Sequence, residues 1–240
     1  MSGGIGLTSN DIGLPNEHDA GSVALPELNP SRRFLSFRQL NALTLSIVLA
    51  ASGMVPTFDL AVSVLSLPYI LFLSRFAFPP LRPSRSVSPP VFGAGNRLLA
   101  VHVTIGAILG LLLPIVYILD GLIEGDKEGI KTAVPHVFLL SIQVFMEGVT
   151  FSPQFSLPIR AFVPVFFNAL RMLTIIDWAS SEMLREALAG GDQRSELRLL
   201  AGRVLAVANL VFWSFNLFGF LLPVYLPRAF SIHYGHKEKQ

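Results

Sequence analysis

Long apolar runs divide this chain before any other signal does. Residues 39–58, 98–119 and 204–227 contain no charged side chain. Each is as long as the roughly 20 residues a helix needs to cross about 30 Å of hydrocarbon. A fourth run, 60–76, spans if Arg75 reaches the interface. Two further stretches, 133–150 and 157–176, are apolar around a few polar positions and flank "FSPQFS", which reads as a turn. The pattern predicts an all-α fold, a polytopic membrane bundle of five or six helices. Its domain is 34–230, with spans near 39–58, 60–76, 98–119, 133–150, 157–176 and 204–226.

The remaining segments are polar in different ways. Residues 1–33 are rich in Gly, Pro, Asn and Ser, which predicts a disordered tail. Residues 79–97 hold five prolines and three arginines without an acid, a cationic loop. Residues 120–131, "DGLIEGDKEGIK", read as a solvated acidic loop, because EF-hand spacing is absent and Lys127 and Lys131 interleave. Residues 177–203 are amphipathic on both sides of a Gly-Gly pair and are expected in water or at the headgroups. Residues 231–240 form a polar carboxy-terminal tail.

Composition sharpens the class. The chain is 52% hydrophobic and 14% charged, with a mean hydropathy of +0.58, where soluble domains carry roughly 25% charged residues. The net charge of +2 and the scattered cations leave no nucleic-acid footprint. The absence of cysteine excludes disulfides, iron–sulfur ligation and thiol nucleophiles. No nucleophile elbow, HExxH, P-loop or dinucleotide fingerprint occurs, so neither enzyme activity nor a cofactor is expected.

Candidate chemistry concentrates in the 133–176 hairpin. On the first helix His136, Gln143 and Glu147 fall within about 40° of one another; on the second, Arg160, Asn168 and Arg171 fall within about 80°. Folding about Pro153–Gln154 puts Glu147 level with Arg160 and His136 level with Arg171. This polar seam has three readings: a structural pair, a substrate or ion path, or a catalytic site. A central arginine costs about 2.5–3.5 kcal/mol on an insertion scale, so the second helix inserts only alongside its neighbours. Gly106 and Gly110 share a face at small-xxx-small spacing, predicting close packing within the chain or against a second copy. Asn209, Trp213 and Asn216 form a polar-aromatic stripe suited to interhelical hydrogen bonding. Pro68, Pro114, Pro164 and Pro223 fall inside spans and predict kinks.

Arginines 32, 33 and 38 before the first span place the amino terminus in the cytosol. With six spans Lys and Arg divide eleven inside to six outside, and with five, thirteen to five. The stretches "FLSFRQLNAL" (34–43), "EGDKEGIK" with "PHVFLLSIQVFMEG" (124–148), "FSLPIRAFVPVF" (155–166) and "GRVLAVANLVFWSFNLFGFLLPVYLP" (202–227) carry a resemblance. Together they resemble a land-plant family of multi-span membrane proteins without an established activity. The resemblance implies an integral membrane protein of plant type and carries no functional residues. The expected function is a non-enzymatic membrane scaffold or assembly component, whose partners are the bilayer and other membrane proteins or a second copy. The alternative is a small transporter or channel using the seam as its path.

Overall fold

The computed structural model describes residues 36–80, 96–152, 154–185 and 193–237. The tail at 1–33, nearly all of the proline-rich loop and the Gly-Gly pair lie outside these residues. Six helical rods account for the rest: α1 (Phe37–Ala51), α2 (Thr57–Phe76), α3 (Arg97–Glu124), α4 (Lys127–Thr150), α5 (Leu157–Leu184) and α6 (193–237). No strand occurs among the described residues.

Local chemistry sets the boundaries. Ser36 and Gln39 form a capping box at the start of α1. The predicted span 39–58 is corrected: α1 stops at Ala51, where Gly53 takes a positive φ of 70° and Pro56 caps the next helix. Five helices, α2 to α6, are long and apolar enough to cross a membrane, and α1 is a shorter apolar one. Gly125 closes α3 at φ 74°, and Asp126 opens α4 by accepting from the Gly129 N–H at 3.0 Å. The hairpin ends where the sequence places it, at Thr150 and Leu157. The solvated-loop reading of 120–131 is corrected, since all but Gly125 and Asp126 are helical. Helix continues into the polar carboxy-terminal tail as far as Lys237.

The rods alternate in direction. Gln39 at the start of α1 lies against Gly148 near the end of α4. Ser156 donates to the Phe78 carbonyl at 2.9 Å, joining the end of α2 to the start of α5. Phe78 also meets Phe230 edge-on, bringing the end of α6 to the same level. We call this the near end; the turns at 52–56 and 125–126 mark the far end.

Burial is distributed as lipid solvation requires. The central pillar is α4, 61% buried across its apolar window, whereas α3 is 17% buried and is the most apolar of the spans. Leu98, Val116, Leu122 and Ile123 of α3 are all more than half exposed. In water such a face would be a large apolar patch; in hydrocarbon it is ordinary. Inside, Ile130, Val134, Val137 and Trp178 form the far-end core, Met146, Ile159, Val163 and Phe167 the near-end core, and Leu140, Ile175, Trp213 and Leu217 a third against α6.

Two π-helical segments lie at or beside a proline. Pro114 has no N–H to offer the Gly110 carbonyl, and the helix widens over Ile108–Leu112. His136 of α4 occupies that carbonyl instead, donating from Nε2 at 3.0 Å. Pro223 lies within the second, Phe215–Tyr225. Beyond the first π turn the amino-terminal part of α3 has no extended helix interface and reaches α6 through His102.

Candidate functional site

A cleft of about 830 Å³ occupies the near half of the bundle. Its walls come from α1, α3, α4, α5 and α6, and α2 contributes none. Both α1 and α3 lean on α4 without an extended interface of their own, which leaves the gap. The wall residues Phe37, Val103 and Ile108 are exposed on the bundle surface, so the cleft opens sideways toward lipid.

The predicted seam is partly in this cleft. Gln143 and Glu147 line it from α4, and the Gln143 amide donates to the Glu147 carboxylate at 2.7 Å. Arg160 lines it from α5 but does not pair with Glu147, which corrects the expected 147/160 bridge. The Arg160 guanidinium donates to the Ser152 carbonyl at 3.1 Å and lies over Phe151. The reason is local: carbonyls just past a helix carboxy terminus have no helical partner and attract cations. Glu147 lies within electrostatic reach of Arg38 and Arg171.

Arg171, Asn168 and His136 are fully buried beyond the cleft. The Arg171 guanidinium stacks 3.9 Å from the centre of the Trp213 ring and donates to Asn168 at 2.9 Å. Asn168 in turn donates to the Trp213 carbonyl at 3.2 Å. His136 is within electrostatic reach of Arg171, as the hairpin register predicts, but its ring stacks on Trp178, about two turns farther along α5. Of the predicted stripe on α6, Asn216 joins His102 of α3 at 2.8 Å, an interhelical bond, whereas the Trp213 indole donates to Asn209 of its own helix at 3.1 Å. Gly106 and Gly110 pack within the chain. A Cβ on Gly106 would stand 3.2 Å from Phe212, and one on Gly110 would stand 2.6 Å from Trp213.

The far end holds a cluster that the sequence reading missed. Arg198 pairs with Asp120 at 2.6 Å and Asp126 at 2.9 Å, and its guanidinium lies over the Tyr117 ring. Arg185 pairs with Asp126 at 2.7 Å and with the fully buried Glu182 at 3.0 Å. Glu182 also accepts from Tyr117 at 2.7 Å and Trp178 at 3.3 Å. Gly121, Gly129 and Gly202 make the room: a Cβ on Gly202 would stand 2.7 Å from the Tyr117 hydroxyl and 2.8 Å from Glu182. The signal was present as spacing. Tyr117, Asp120 and Glu124 share one face at the end of α3, and Arg194, Arg198 and Gly202 share one at the start of α6.

Burial opposes ionisation of Asp126, but the Gly129 N–H and the Arg185 and Arg198 guanidinium groups outweigh it and hold the carboxyl below its ordinary value of 3.8. A depressed carboxylate contributes stability above its unfolded value and loses it as pH falls through the folded one. The stability difference between the native chain and Asp126→Asn, measured by thermal unfolding in detergent, is therefore expected to stay constant from about pH 7 to pH 5 and to shrink below about pH 4. A difference that changes between pH 7 and 5 contradicts this placement of the charge.

Antiparallel apolar rods with a lipid-facing surface, an interior seam and one charged end define a polytopic α-helical membrane protein. The chain belongs to the family described as a domain of unknown function, DUF7733, whose model matches residues 35–234. No curated protein and no solved structure matches it.

Proposed function

We propose that this is a non-catalytic, multi-pass membrane component that holds a membrane ligand or partner in its near-end cleft and neither conducts nor transforms it. The observation that carries the reading is the cleft's depth. It reaches Ile108, Leu111 and Leu140, and none of the far-end ionic residues lines it. Trp213 closes its floor and the buried cation of Arg171 stands behind that ring, a barrier to any cation or proton path. The carboxylates are also committed: Glu182 accepts from three side chains and Glu147 from Gln143. Such groups serve as architecture better than as bases. On this reading the near end, with its excess of Lys and Arg, faces the cytosol, and the resemblance noted in the sequence supports a plant membrane as its setting.

A second reading, an anion transporter, is favoured by one observation, the two Arg171 nitrogens that lack hydrogen-bond partners. Purified protein in vesicles separates the two. The expected result is no proton, potassium or halide flux above empty vesicles. Halide flux that disappears in Arg171→Met would overturn the holding reading.

A further inference from the structure

We infer that the occupant of the cleft is an anionic phospholipid, its phosphate at the mouth and an acyl chain along the apolar floor; this rests on the holding reading above. Charge is the first argument. Among the cleft-lining residues the ionic ones are Arg38, Glu147 and Arg160, a positive excess, and Glu147 already holds the Gln143 amide. Arg160 keeps a buried Nε without a hydrogen-bond partner, although its Nη2 is fixed on the Ser152 carbonyl. That Nε is closed off from the cleft, so a phosphate oxygen would be met by the remaining N–H groups of the anchored guanidinium.

Shape and polarity give the second argument. Below the mouth the walls turn apolar at Leu45, Val103, Ile108, Leu111 and Leu140. A volume of about 830 Å³ lies within the range of small-molecule sites and suits a chain as well as a headgroup. The side opening matters as much. A lipid can slide in from the bilayer without leaving hydrocarbon, whereas a soluble phosphate would gain nothing from the apolar floor. The mouth also lies at the end proposed as cytosolic, where anionic lipids are concentrated.

The test uses the full chain in neutral detergent and reads the melting temperature. Additions are dioleoyl phosphatidic acid, dioleoyl phosphatidylcholine and glycerol 3-phosphate. Phosphatidic acid is expected to raise the midpoint by roughly 5 °C near saturation, with little change from the other two. Arg160→Gln should remove most of the rise, and because it also releases the Ser152 carbonyl, exposed Arg38→Gln provides a second charge variant that leaves the hairpin turn intact. Val103→Trp, placed on an exposed wall position, should block the chain and abolish the rise while leaving the lipid-free midpoint unchanged. An equal rise with phosphatidylcholine, a rise with glycerol phosphate alone, or a rise that survives Val103→Trp would each overturn the inference. Failure here without flux in vesicles sinks the lipid assignment alone, whereas flux sinks the holding reading whatever the lipid does.

Discussion

Asp126→Ala is expected to lower the unfolding free energy by about 3–5 kcal/mol, a fall on the order of 10 °C in the melting temperature of the detergent-solubilised chain. The size comes from three losses at one residue. Asp126 caps α4 through the Gly129 N–H, worth about 1 kcal/mol. It is also a partner of Arg198, whose side chain is 7% exposed, and of Arg185, which is half-buried. Removing the carboxylate leaves both cations facing each other across its place. Asp126→Asn keeps the cap acceptor and should recover about 1 kcal/mol. Arg194, by contrast, is 64% exposed and its pairs with Asp120 and Glu124 are worth little, so Arg194→Ala should be nearly silent. A loss below about 1 kcal/mol for Asp126→Ala would mean that the far end behaves as an ordinary wet surface.

The second large effect is a single methyl group. Gly110→Ala should cost about 2–3 kcal/mol, while Gly106→Ala, one turn away on the same face, should cost under about 1 kcal/mol. A Cβ on Gly110 would meet Trp213 at 2.6 Å and Leu140 at 2.9 Å. The indole cannot yield, since it donates to Asn209 and lies beneath the Arg171 guanidinium. A Cβ on Gly106 would meet the edge of Phe212 at 3.2 Å, and that ring borders the open cleft and can turn. Thermal unfolding of the two variants gives the ranking directly, and the reverse order would contradict the seating of α3 on α6.

Hydropathy and punctuation carried the bundle. Thr150 and Leu157 were legible as helix ends because Ser-Pro and Ser-Leu-Pro bracket a short polar turn. The end of α1 was not, because Gly53, Met54 and Val55 are as apolar as the helix before them and a transfer scale is blind to a positive φ. The 147/160 bridge failed for a related reason. Sequence register fixes depth along two helices but not which acceptor wins locally, and here the Ser152 carbonyl at the end of α4 takes the Arg160 guanidinium across the turn. His136 illustrates the opposite case. Its level was legible, yet its partner is a backbone carbonyl left open by a proline on another helix, and no side-chain pattern announces that. The far-end cluster required bringing together four segments separated by up to 81 residues, as in the bond from Arg198 to the Tyr117 carbonyl.

The shortness of α1 has a consequence for the bilayer itself. Fifteen residues rise about 22 Å, against roughly 30 Å of hydrocarbon. Where α1 crosses as a span of its own, the lipid beside it must thin or its headgroups must dip, at fractions of a kcal/mol per ångström of mismatch. The other helices, at 20 residues or more, impose no such demand. The protein thus deforms its surroundings on one flank only, the flank on which the cleft opens. A bilayer that is thin to begin with relieves that deformation.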